Sequence, residues 1–88
     1  MRYLEFDQNA IEDLIWWSKN NNKIVPKILK LSLEICKTPF EGTGKPEPLK
    51  DNLQGLWSRH INIEHRIIYE VFDNKIRIIA CRFHYDRK

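Results

Sequence analysis

Apolar residues recur along this chain with two different periods, helical in the first half and alternating in the second. Ala10, Ile11, Leu14, Ile15 and Trp17 follow near-helical spacing behind Asp7, a residue type suited to an N-cap. The triple Asn at 20–22 stops that run. Ile24, Ile28, Leu31 and Ile35 recur at offsets of four, three and four, which predicts one apolar stripe on a second helix. Pro26 falls in its first turn, where a missing N–H costs little. Thr38 and Pro39 end it, and from there to Asn52 the chain reads as a loop of about a dozen residues, long enough to suspect function. "RYLEF", ahead of the helices, is a short strand candidate.

Three runs rich in β-branched and aromatic residues follow the loop: "LWSRHINI", "HRIIYEVF" and "IRIIACRFHY". Glu64–His65 and "DNK" at 73–75 supply the turns between them. The simplest result is an α+β fold: two N-terminal helices packed on one face of a small twisted, mainly antiparallel β-sheet, with the N-terminal strand at an edge. Alternation assigns faces. Trp57, Ile61, Ile63, Ile67, Tyr69, Val71, Ile79, Cys81 and Phe83 are expected toward the helices. Ser58, His60, Asn62, Arg66, Ile68, Glu70, Arg82 and His84 are expected on the open face. Ile76 and Ile78 strain this parity, and a single bulge would reverse every later side chain.

With 88 residues the chain holds one domain, residues 1–88, and its 42% hydrophobic content is that of a globular protein. Fifteen Lys and Arg against twelve Asp and Glu give +3, which permits a polyanionic partner without demanding one. Cys36 and Cys81 form no CxxC pair, so reduced, packed thiols are expected, with no zinc site and no cofactor. "MRYLEFDQ" lacks the apolar core of a secretory signal, and no stretch approaches a membrane span. The expectation is a cytoplasmic protein without a membrane partner.

The stretch "GKPEPLKDN" at 44–52 sets Pro46 and Pro48 around Glu47. Each proline fixes its own φ and biases the preceding residue, Lys45 or Glu47, away from helical geometry. This describes either a stiff surface linker with a solvated carboxylate or a positioned base. The open face offers chemistry to match the second reading. Cleaving RNA through its own 2′-hydroxyl needs a base for that proton, a cation to offset charge on the phosphorane, and an acid for the departing 5′-oxygen. Glu47 suits the base and His84 the acid, with no metal ion. Each residue also has a structural reading. His84 can be a surface or hydrogen-bonded histidine, Arg66 and Arg82 solvated cations or salt-bridge partners, and Tyr85 a residue packed on the sheet edge. Lys45 and Lys50 can be ordinary loop cations, and Trp16, Trp17 and Trp57 core or interface aromatics.

The run "TPFEGTGKPEPLKDNLQGLWSRHINIEHRIIYEV", followed by "IIACRFHY", closely resembles the YoeB branch of the RelE-like toxins, the mRNA interferases of bacterial toxin–antitoxin pairs. The similarity runs nearly without gaps from Thr38 to Tyr85, while the helical half is similar mainly in pattern. The resemblance implies Glu47 as general base, Arg66 as catalytic arginine and His84 as acid. It implies that Lys50 and Tyr85 steady phosphate and orient or stack on the substrate base. Arg59, His60 and Arg82 complete the substrate-binding set, His60 standing where YoeB-like sequences usually carry a second consecutive arginine. Asp86, Arg87 and Lys88 extend past the His-Tyr where many relatives end. The implied partners are the 70S ribosome with A-site mRNA and a cognate antitoxin, with operator DNA reached only through that antitoxin. Members of the family can dimerise, and exposed tryptophans would favour a homodimer. Two other function classes remain: a catalytically silent module binding RNA or operator DNA, and a protein-only interaction domain.

Overall fold

The computed structural model describes residues 1–50 and 55–83. Within them the chain runs β1 (Tyr3–Phe6), α1 (Gln8–Asn20), α2 (Ile24–Lys37), β2 (Glu47–Pro48), β3 (Leu56–His60), β4 (Arg66–Val71) and β5 (Lys75–Phe83). The strands form one sheet in the order β1-β5-β4-β3-β2, antiparallel except for the parallel pair β1 and β5. That parallel pairing needs a crossover, which the rest of the chain between them provides. The expected α+β architecture is therefore present, with β2 added at the far edge inside the stretch read as loop.

The helices cover one face because their apolar stripes match it. Ala10 and Trp17 from α1 and Ile28, Leu31 and Ile35 from α2 are buried against Ile61, Ile67, Tyr69, Ile76, Ile78 and Cys81. Leu14 packs beside them, whereas Ile11 and Ile15, also in the predicted stripe, turn outward and are exposed. Asp7 sits at the N-cap of α1 but makes no capping bond; its carboxylate accepts from Arg77 at 2.8 Å instead. None of the three tryptophans is exposed, in keeping with their reading as core or interface aromatics. Trp17 is buried, and Trp16 and Trp57 pack on the main core. Cys36 and Cys81 are buried free thiols, as their spacing predicts. No helix among the described residues is long and apolar enough to cross a membrane.

The parity reading holds on the inward residues of β4 and, on β5, for Cys81 but not for Ile79 or Phe83. The register between these strands shifts by one residue twice, between the pairs Tyr69–Ile78 and Ile68–Ala80 and again before Arg66–Phe83. Two bulges thus re-aim the strand. Ile76 and Ile78 face the helices, while Ile79 and Phe83, expected there, join Leu49, Leu56, Ile68 and Ala80 in a small apolar cluster apart from the helix-side core. Ile68 is accordingly buried rather than open. Ile63 was expected inward too; β3 ends at His60, and Ile63 is 97% exposed in the turn that follows.

Past Ile78, β5 has no β1 partner, and α1 covers its edge with side chains. Asn9 donates to the carbonyl of Ile79 at 3.2 Å, Trp17 Nε1 donates to that of Cys81 at 2.8 Å, and Asp13 accepts from the N–H of Cys81 at 2.9 Å. These bonds satisfy backbone groups that would otherwise offer a pairing edge.

Candidate active site

The sheet register brings Glu47 and Arg66 together from strands that are not neighbours. Glu47 lies opposite Ser58, and His60 lies opposite Arg66, so Arg66 reaches diagonally across β3 toward the edge. Its Nη1 donates to Ser58 Oγ at 3.0 Å and to Glu47 Oε2 at 3.3 Å. The Arg66 side chain is 17% exposed and that of Glu47 is 52% exposed. The cation is thus sunk into the sheet while the carboxylate stands at its rim, where an incoming group meets both.

The proline frame explains how a two-residue strand holds its place. Pro48 contributes no N–H, a loss an edge strand tolerates. Downstream, the N–H of Leu49 donates to the carbonyl of Leu56 at 2.8 Å, and the Leu49 side chain is buried. Upstream, the carbonyl of Gly44 accepts from the N–H of His60 at 2.7 Å. Glu47 is therefore clamped on both sides. Lys45 departs from the bias that Pro46 predicts and takes φ 53°, a left-handed conformation that the surrounding bonds must impose.

The other expected substrate contacts divide. Lys50 is exposed just beyond β2. His60 is half-buried at the rim of a groove of about 380 Å³ that also presents Lys27 and Lys30 from α2. Arg59 corrects the expectation of a substrate contact. Its side chain is fully buried on the helix side, and all five N–H donors are consumed by Tyr69, Glu34 and the carbonyls of Thr38, Glu41 and Thr43. Arg82 is exposed, but its face is corrected: its guanidinium lies 3.8 Å from the ring centroid of Trp16 on α1, on the side opposite Phe83 in the alternation, because the bulges reset the strand. The expected acid His84 and the stacking Tyr85 lie outside the described residues, as does the 86–88 tail.

Ser58 is the participant that pattern reading missed. Alternation places it on the open face, yet it is fully buried beneath Arg66, where its hydroxyl fixes the guanidinium from below. The signal was available in the register, since a small hydroxyl beside a sunken arginine leaves room for the cation to lie flat.

The chain thus presents a small sheet with one helical layer and, on the other face, an acidic edge strand set against a half-sunk arginine. The family model for the YoeB-like toxin of bacterial type II toxin–antitoxin systems matches residues 6–85, and the chain belongs to that family. The toxin YoeB of Escherichia coli K12 is 48% identical over 82 residues, 93% of this chain and 98% of that protein. Among solved structures, the YoeB dimer from Staphylococcus aureus superposes with a TM-score of 0.86 at 45% identity, covering 96% of this chain and 98% of that one. The YoeB–YefM complex from the same organism matches with a TM-score of 0.83 at 45% identity, covering 97% and 99%. The protein is thus a toxin of a toxin–antitoxin system.

Proposed function

We infer that this toxin is a ribosome-dependent endoribonuclease that cuts mRNA in the ribosomal A site and so inhibits translation. The observation that carries this reading is the meeting of Glu47 and Arg66 above Ser58. With a phosphodiester at Arg66, the Glu47 carboxylate takes the proton of the 2′-hydroxyl, and the freed 2′-oxygen attacks phosphorus. Arg66 offsets the negative charge that builds on the non-bridging oxygens. His84 gives a proton to the departing 5′-oxygen. The bond from phosphorus to that oxygen breaks, leaving a 2′,3′-cyclic phosphate on one fragment and a 5′-hydroxyl on the other. Phe83, the residue before His84, is the register partner of Arg66, which supports assigning the acid to this end of β5. Lys50 and Tyr85 serve the substrate phosphate and base, and His60 stands where YoeB-like sequences usually carry an arginine.

The partners follow from the same reading. The ribosome presents the message, and a cognate antitoxin silences the toxin, as the solved YoeB–YefM pair suggests; operator DNA is reached through the antitoxin. A homodimer is supported by the solved YoeB dimer rather than by surface tryptophans.

Primer extension on a translated message tests this directly. The parent protein should produce cuts in ribosome-bound mRNA with 5′-hydroxyl ends, and Glu47→Gln and His84→Gln should each lower the rate by about 10² or more. Intact message on saturated ribosomes would instead identify a silent RNA-binding module. Products with 5′-phosphate ends would refute the 2′-hydroxyl route.

A further inference from the structure

The stretch between α2 and Glu47 looks like an exposed loop in the sequence, yet its backbone is turned inward. The carbonyls of Thr38, Glu41 and Thr43 all accept from the single guanidinium of Arg59. That of Pro39 accepts from the hydroxyl of Tyr69 at 2.6 Å, and that of Gly44 accepts from the N–H of His60. Glu34, near the end of α2, completes the arrangement. Its Oε2 accepts from Arg59 Nη1 at 2.8 Å and from the backbone N–H of Thr43 at 2.7 Å. Two glycines allow the close approach. Gly42 has φ 125°, and a Cβ there would stand 2.2 Å from Glu34 Oε2; at Gly44, φ 86°, it would stand 2.8 Å from the carbonyl oxygen of His60.

We propose that Glu34 and Arg59 are positioning residues for RNA cleavage, pinning the 38–44 segment from inside the fold so that the carboxylate three residues further on is delivered to Arg66. Neither side chain belongs to the reacting face. Arg59 is fully buried between the helices and the sheet, and Glu34 faces Arg59 and Thr43. They act on Glu47 through the chain. A loose exit from α2 would remove the upstream clamp on β2, which is only two residues long, and displacement of a catalytic group by about 1 Å costs on the order of 10² in rate. The inference rests on the nuclease reading of the site.

The test is a double-mutant cycle between Glu34→Gln and Glu47→Gln, read as single-turnover cleavage of mRNA on saturating ribosomes, with ribosome affinity measured separately. A positioning role predicts that Glu34→Gln lowers the saturated rate by about 10- to 100-fold with ribosome affinity unchanged. It also predicts little further loss when Glu34→Gln is added to Glu47→Gln, because both act through one carboxylate. Amide exchange at Thr43 should quicken in Glu34→Gln, confirming that the staple has opened. Gly42→Ala, which drives a methyl group against Glu34, gives a second route to the same effect if Glu34→Gln folds poorly. A full parental rate with the Thr43 amide freed, or additive losses in the cycle, would overturn the proposal. Absence of cleavage by the parent protein would instead refute the nuclease reading itself.

Discussion

The carboxylate of Glu47 stands 3.3 Å from Nη1 of Arg66 although the two residues belong to strands separated by a third. The contact exists because Ser58, on the intervening strand, is too small to stand between them and instead hydrogen-bonds the guanidinium. An arginine can serve both neighbours at once, since its donors are spread over a rigid plane.

Arg66→Lys should therefore be far from conservative. A single ammonium cannot reproduce that planar contact with a phosphate while resting on Ser58. Cleavage of ribosome-bound mRNA should fall about 10²-fold, and the melting temperature should remain close to the parent's. Single-turnover kinetics beside thermal melting separates the two effects.

Arg59→Leu should do the reverse, acting on stability first. The substitution strands Glu34 and three inward carbonyls without their donor, and losing one member of such a buried set costs about 3 kcal/mol or more. Urea unfolding should show a much lower midpoint. Lys50→Ala, at an exposed position, should leave the midpoint unchanged within error.

Acid should weaken the same staple. The N–H of Thr43, with Arg59 assisting, holds the Glu34 carboxyl below its ordinary value against an opposing push from burial. A lowered folded value means that the contribution to stability is present above the unfolded value and disappears as pH falls through the folded one. Urea midpoints followed downward from about pH 6 should drop more steeply for the parent than for Glu34→Gln below the ordinary carboxylate range near 4.5.

Both thiols should be silent in the folded protein. Burial, with help from Asp13, pushes Cys81 up to about 12, and burial also raises Cys36. Because the thiolate is the reactive form, an aromatic disulfide reagent at about pH 8 should label neither until the protein is unfolded, when both react.

Much of this fold is legible in the residue pattern. The offsets of Ile24, Ile28, Leu31 and Ile35 specify α2, and the β-branched runs locate the meander. Ile79, Phe83 and Arg82 are misplaced by strict alternation because two inserted residues in β5 leave no mark on composition. Glu47 and Arg66 are readable as partners through the proline frame and the family resemblance. Arg59 is not, because an arginine between a serine and a histidine looks like surface charge. Its burial is decided by Glu34, Tyr69 and a set of backbone oxygens that no periodicity announces. Ser58 is obscured for a similar reason, since its role depends on the neighbour above it.

The pairing of β1 with β5 sets the order in which the molecule can be completed. Tyr3 aligns with Lys75 and Phe6 with Ile78, so the earliest strand to leave a translating ribosome waits for nearly the last. Loop closure over that span is slow compared with local helix formation. The outer pair of the sheet can therefore close only after β5 has been made, when both helices have already left the ribosome.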